Sequence, residues 1–339
     1  ACRIGGPFSG LFNVARNLVS KRHLGRVGGA RSIGASRKGN TAFIWALQTG
    51  GKVAARPKGM PMPDVSPPIR VDLGPKGLVV DRAALVAALA GLRPGAPVVA
   101  LIHGFSFMPD LAGQCPHQHI LALNPAGGDR RAISWPRHLG LDGRAGLALA
   151  CGWPARGSVW QAHGRAAAAG RALAELAQVV AEIAPSRRLD VVAHSLGARV
   201  ALGALPYAEP GRFGRLILLA GAETRVEARA ALDSPAGRAV QVTNVTTREN
   251  DLFDALFEWL VHFGRGTSVG QGLPDAPANW RDLWLDRAET LAALARMGHV
   301  IAPAQGRVSH WSPYLRPGVF SVYRALLSGD LMPDTLPKP

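Results

Sequence analysis

Ser195 stands in Leu189-Asp190-Val191-Val192-Ala193-His194-Ser195-Leu196-Gly197-Ala198-Arg199-Val200, where a buried apolar run passes straight into a helical pattern. A serine at such a junction sits on a cramped turn, so the positions two before and two after it must be small. Here they are Ala193 and Gly197. The turn lifts the hydroxyl above the sheet and leaves the Leu196 N–H at a helix N-terminus, where negative charge is favoured. This is the setting of a serine nucleophile in acyl transfer; the plainer alternative is an N-cap serine. A second chemistry-bearing group, Cys115-Pro116-His117-Gln118-His119, has a His-x-His spacing that puts two metal ligands on one strand face. No further donor cluster accompanies it, so no metal is expected. The Gly-rich fingerprints of dinucleotide and phosphate-loop sites are missing, and no cofactor is expected.

The flanking chain reads as alternating strands and helices. Residues 69–73 alternate with period two and run into the turn Gly74-Pro75-Lys76-Gly77, and Asp81 caps an Ala-rich helix over 82–92. Short continuous apolar runs at 97–102, 147–151, 189–193 and 216–220, with a β-branched fifth at 240–247, have the pattern of strands buried on both faces of a parallel sheet. Helical patterns fill 159–184, 196–205, 251–263, 281–297 and 319–327. The alternation predicts an α/β fold, a mostly parallel central sheet with helices on both faces. Residues 104–146 and 264–309 are long Pro- and Gly-rich excursions of the kind that form lids or pocket walls. About twenty residues separate 220 from 240, too few for a large cap domain there.

With the strand–turn–helix in place, the chain over about 69–328 resembles the α/β-hydrolase family, whose nucleophile elbow is G-x-S-x-G; Ala193 departs from the first glycine by one methyl. The resemblance implies a serine, an acid and a histidine in that chain order, acting without a cofactor on a small-molecule carboxylic ester. It implies a second oxyanion donor after an earlier strand, and Leu101-Ile102-His103-Gly104-Phe105 supplies it: the Phe105 N–H beside that of Leu196, with His103 bracing the loop. Three histidines follow the elbow: His262, His299 and His310. His310 lies before a final helix, where the family carries its base; His299 is the runner-up, and His262 falls within a helical pattern. For the acid, Asp251 follows the strand 240–247 and could accept the other ring N–H of His310. Glu223, after the strand 216–220, is the rival, with Asp254 behind both. Lipase or thioesterase activity on the same residues is the near alternative, and a non-catalytic binding protein the distant one. Trp135, Trp153 and Trp160 could line an acyl pocket or be core.

The net charge of +16 over 339 residues looks like a nucleic-acid signal until it is divided along the chain. Residues 1–63 carry eleven Lys or Arg and no Asp or Glu; the rest carries 28 basic against 23 acidic residues. Residues 1–65 are therefore expected to be a basic, flexible segment, with the hydrolase-like domain over 66–339. The plainest expectation for it is a tail with no task of its own, an over-extended or spliced start; an anionic-surface contact or a targeting peptide are the others. Nucleic acid is not expected as a partner. No secretory signal is read, because Asn13, Arg16 and Asn17 break the apolar run over 8–19. No stretch approaches the ~18 apolar residues of a membrane span, and three cysteines ask for no oxidising compartment. A cytoplasmic location is the expectation.

Overall fold

The computed structural model describes residues 66–126, 129–264, 266–304 and 306–336, with only the backbone at His262. The basic segment 1–65 lies outside the described residues. The described chain is α/β. Its strands are β1 (Ile69–Gly74), β2 (Gly77–Val80), β3 (Val98–Ile102), β4 (Leu147–Gly152), β5 (Leu189–His194), β6 (Phe213–Leu219), β7 (Gln241–Thr246) and β8 (Trp280–Trp284). They form one eight-stranded sheet in the order β2-β1-β4-β3-β5-β6-β7-β8. Every pairing is parallel except the β1–β2 hairpin at the edge. The helices are α1 (Arg82–Ala90), α2 (Trp135–Leu139), α3 (Val159–Ile183), α4 (Gly197–Ala204), α5 (Arg225–Leu232), α6 (Pro235–Ala239), α7 (Asp251–His262), α8 (Ala288–Arg296), α9 (Ser312–Leu315) and α10 (Val319–Ser328).

Period-two alternation along the strands decides what each face of the sheet packs. From β3, Val98, Ala100 and Ile102 enter a core shared with α3 and α4. Val99 and Leu101 enter a second core with α2 and α10 on the other side. Because both faces are covered, β3, β4 and β5 are buried at every position, and that is why β3 and β4 read as unbroken apolar runs and β5 as one interrupted only by Asp190 before it ends on His194. The helix α3 opens on a capping box between Ser158 and Gln161, and its Ala-rich stripe lets it lie close on the sheet.

One element differs from the sequence pattern. That pattern predicts a single helix over 281–297, but the chain first makes β8 parallel to β7 and only then α8. Pairing overrides the local pattern here because Asp282 is a buried acceptor. It takes hydrogen bonds from Asn244 Nδ2 at 2.8 Å, Trp280 Nε1 at 2.9 Å and the Leu273 N–H at 2.9 Å. Only the extended form presents that carboxylate to β7. Among the described residues, no helix is long and apolar enough to cross a membrane.

Candidate functional site

Ser195 follows the last residue of β5 and precedes α4. Its φ is +54°, a left-handed conformation that is strained by roughly 1–2 kcal/mol for a residue with a side chain. Bonds on both sides hold it there. The Ser195 N–H donates to Leu219 O at 2.9 Å, and Ser195 O accepts from Ala198 and Ala222 at 2.9 and 3.0 Å. The backbone is so crowded that a Cβ on Gly197 would lie 2.7 Å from His103 O and 2.9 Å from Ile102 O. A Cβ on Gly104 would lie 2.8 Å from the Ser195 Cβ. The turn and the loop after β3 therefore touch only because both positions are glycine.

That loop is pinned from several directions. Trp153 donates its backbone N–H to His103 Nε2 at 3.0 Å, so the ring proton is on Nδ1, which donates to Gly104 O at 2.8 Å. The Trp153 indole donates to His103 O at 2.9 Å, and Ser106 N–H to Ala155 O at 2.9 Å. Burial drives the His103 pKa down to about 3. The ring is a neutral strut under the loop.

Of the three downstream histidines, His310 reaches the serine: its Nε2 is 2.8 Å from Ser195 Oγ. His299 turns to Ser321 Oγ at 3.2 Å, and the His262 side chain lies outside the described residues. His310 is carried on the segment before α9, which is tied to the end of β7. Ser309 N–H donates to Glu249 O at 2.8 Å, and the Glu249 carboxylate accepts from Ser312 Oγ at 2.6 Å and pairs with buried Arg316. The ring lies against Phe253, 4.7 Å between centroids and 24° between planes. His194, the residue before the serine, donates Nε2–H to His310 O at 3.0 Å, with the two ring centroids 4.6 Å apart.

The partner of the other ring nitrogen is not the residue expected. His310 Nδ1 is 2.6 Å from Oδ1 of Asn250, whereas Asp251, expected there, is solvent-exposed with Arg248 and Asp286 as its charged neighbours. The reason is helical geometry. Residues 248–250 form a 3₁₀ turn that runs directly into α7, and each residue rotates the side-chain direction by about 100°. The rotation that buries Asn250 at 1 % exposure turns its neighbour outward. Glu223, the rival acid, is occupied elsewhere: it pairs with Arg199 at 2.8 Å and takes the Thr224 N–H at 2.8 Å. Asp254 is buried one turn beyond Asn250.

Nothing in the residue order singles out Asn250 or His194. An amide lacks the charge that draws attention at the third position, and His194 occupies the variable place in the serine motif. Of the tryptophans, Trp135 and Trp153 are fully buried core, and Trp160 is 41 % exposed and donates to Leu260 O at 2.7 Å. His117 turns to Asp72 at 2.9 Å and His119 toward Asp129 at 3.6 Å. Among the described residues no three His, Cys, Asp or Glu side chains converge as metal ligands.

The chemistry open to this arrangement follows from its protonation. Asn250 Oδ1 accepts, so His310 carries its proton on Nδ1 and leaves Nε2 to take the Ser195 proton. Burial and the adjacent His194 ring push the His310 pKa well below its ordinary 6.5, and burial lowers His194 to about 4. His310 is thus a neutral, proton-accepting ring throughout the physiological range and charges only in acid. An NMR pH titration of the ring is expected to show no His310 midpoint between about pH 6 and 7.5; a midpoint in that interval contradicts the burial argument. Compared with models of known protein families and with curated proteins, the chain matches none, so fold and site geometry are the ground for its functional reading.

Proposed function

We propose that this chain is a serine hydrolase of the α/β-hydrolase type that cleaves carboxylic esters through an acyl-enzyme. The observation that carries the reading is the Ser195 Oγ–His310 Nε2 distance of 2.8 Å, with Nδ1 of the same ring on an acceptor. A serine hydroxyl is a poor nucleophile until a neighbouring base can take its proton as the bond to carbon forms. Ser195 attacks the carbonyl, His310 receives the proton and returns it to the leaving alcohol, and water admitted next is activated by the same ring. The backbone N–H groups of Leu196 and Phe105 are the donors assigned to the tetrahedral oxyanion, a contribution of ~10²–10³ in rate per donor. The two short helices α5 and α6 make up the crossover from β6 to β7, and the reading accordingly includes no large cap domain there.

The third member departs from the expected pattern. Asn250 orients His310 as an aspartate does, but it brings no charge to offset the imidazolium formed during attack. Asparagine holds this place in some cysteine–histidine sites, where the same orienting role suffices.

The test is a fluorophosphonate probe on the full chain, followed by peptide mapping, beside a p-nitrophenyl ester series of short and long acyl chains. Stoichiometric labelling of the peptide containing Ser195, with ester turnover, is expected. Folded protein that remains unlabelled is a hydrolase-fold binding protein instead, and preference for long-chain or thioester substrates moves the assignment to lipase or thioesterase.

A further inference from the structure

Asparagine as the partner of His310 raises a problem that aspartate does not. A carboxylate can only accept, whereas an amide turned by about 180° presents its NH₂ to Nδ1. That drives the ring proton to Nε2 and leaves His310 unable to take a proton from Ser195. Something must fix which end of Asn250 faces the histidine.

The group behind Asn250 is Asp254. It lies one helical turn along, four residues on, and is 2 % exposed. Its Oδ1 accepts from Ser268 Oγ at 3.1 Å, and Ser268 Oγ in turn accepts from the Gly270 N–H at 3.0 Å. Ser268 N–H is fastened to Glu258 Oε1 at 2.7 Å. The carboxyl group lies directly over Gly270, where a Cβ would collide with both of its oxygens. The Asn250 side chain neighbours the same carboxyl, whose second oxygen, Oδ2, is buried and has no hydrogen-bond partner among the described residues. Nδ2 is the amide's sole donor.

We propose that Asp254 is a positioning residue: by accepting the Nδ2–H of Asn250 it locks the amide with Oδ1 toward His310 Nδ1–H, and so selects the ring tautomer whose Nε2 can accept the Ser195 proton. It touches no reacting atom and acts through Asn250. The role rests on Ser195 and His310 being nucleophile and base, but the arrangement of the amide and ring can be read without any substrate. Burial and the nearby carboxylates of Glu258 and Asp251 raise the Asp254 pKa to about 7, against the neighbouring Ser268 and Asn250 side chains, which lower it. With Oδ1 holding Ser268, Oδ2 can accept from Asn250 in the ionised form of the carboxyl.

The test combines ¹⁵N-histidine NMR of the full chain with phosphonate acylation rates. The His310 signals are identified as those lost in His310→Gln. Wild type is expected to show an Nδ1–H, Nε2-unprotonated ring. Asp254→Asn can donate as well as accept, so both amide orientations become available and the ring is expected to divide between two tautomers. In Asp254→Leu the Nε2–H form is expected to dominate, with acylation lowered by roughly 10²-fold or more, against ~10⁴ for a triad held in the wrong tautomer, and with substrate KM within about twofold. The Asn250→Asp variant presents a carboxylate with no donor end, so adding Asp254→Leu to it is expected to change acylation by less than about threefold. Retention of the Nδ1–H ring in both single variants at position 254 overturns the proposal, as does a rate loss from Asp254→Leu that is undiminished in the Asn250→Asp background. If Asp254→Leu does not fold, the near-isosteric Asp254→Asn decides by its tautomer alone. Failure of Ser195 to acylate in wild type counts against the hydrolase reading, while the NMR result still decides the role of Asp254.

Discussion

Ester turnover by Ser195→Ala and by His310→Ala is expected to fall about 10⁵–10⁶-fold each, with the double variant scarcely worse than either, because nucleophile and base act as a unit. The comparison that carries most information is between the neighbours at 250 and 251. Asn250→Ala leaves a buried Nδ1–H without an acceptor where Oδ1 now stands 2.6 Å away. The ring is then free to rotate or change tautomer, and the loss should be about 10³-fold, mostly in kcat. Asp251→Asn alters an exposed group, since the Nδ1 of His310 is bonded to Asn250 instead, and turnover should stay within about threefold. Equal losses at the two positions, or a larger one at Asp251, contradict the assignment of Asn250. Steady-state kinetics on the best ester from the acyl series, with folding checked by circular dichroism, is the measurement.

Gly197→Ala is expected to be the most damaging single-methyl change near the site. The added carbon meets two carbonyl oxygens, of His103 and Ile102, at 2.7 and 2.9 Å. Both belong to the end of β3 and its loop, which cannot yield without moving Gly104 against Ser195. Overpacking of this kind destabilises by about 1–3 kcal/mol and more where only backbone can give way, so a loss of about 3 kcal/mol in urea unfolding is expected. Acylation should fall as well, since the same displacement shifts Gly104, which packs against Ser195. Gly203→Ala in the same helix is the matched control. Its Cβ meets nothing within 4 Å, and replacing an interior helical glycine with alanine is worth up to about 1 kcal/mol of stability. A Gly197→Ala protein as stable as Gly203→Ala contradicts the close-approach argument.

The parts of this protein legible from residue order are those in which local chain geometry and burial act together. Apolar runs foretold β3, β4 and β5 because a strand covered on both faces leaves few positions for a polar side chain, Asp190 within β5 being the exception. Small residues around Ser195 foretold the turn, because crowding at that bend is a property of the local chain. His310 is singled out among three histidines because the family that the chain resembles carries its base before the last helix, and the structure brings it to the serine.

What tertiary structure alone decided is which way side chains face once elements pack. Residues 250 and 251 are adjacent in the sequence, and charge favoured the aspartate. The docking of α7 rotated Asn250 to the histidine and its neighbour to water, a difference of about 100° that no composition or spacing encodes. The same holds for β8, which a helical pattern concealed until the buried Asp282 carboxylate found its partner Asn244 on β7. His194 likewise acquired its place beside His310 only when segments far apart in sequence closed around them. Such contacts depend on the relative rotation of packed elements, and in a chain read one residue at a time that rotation is undetermined.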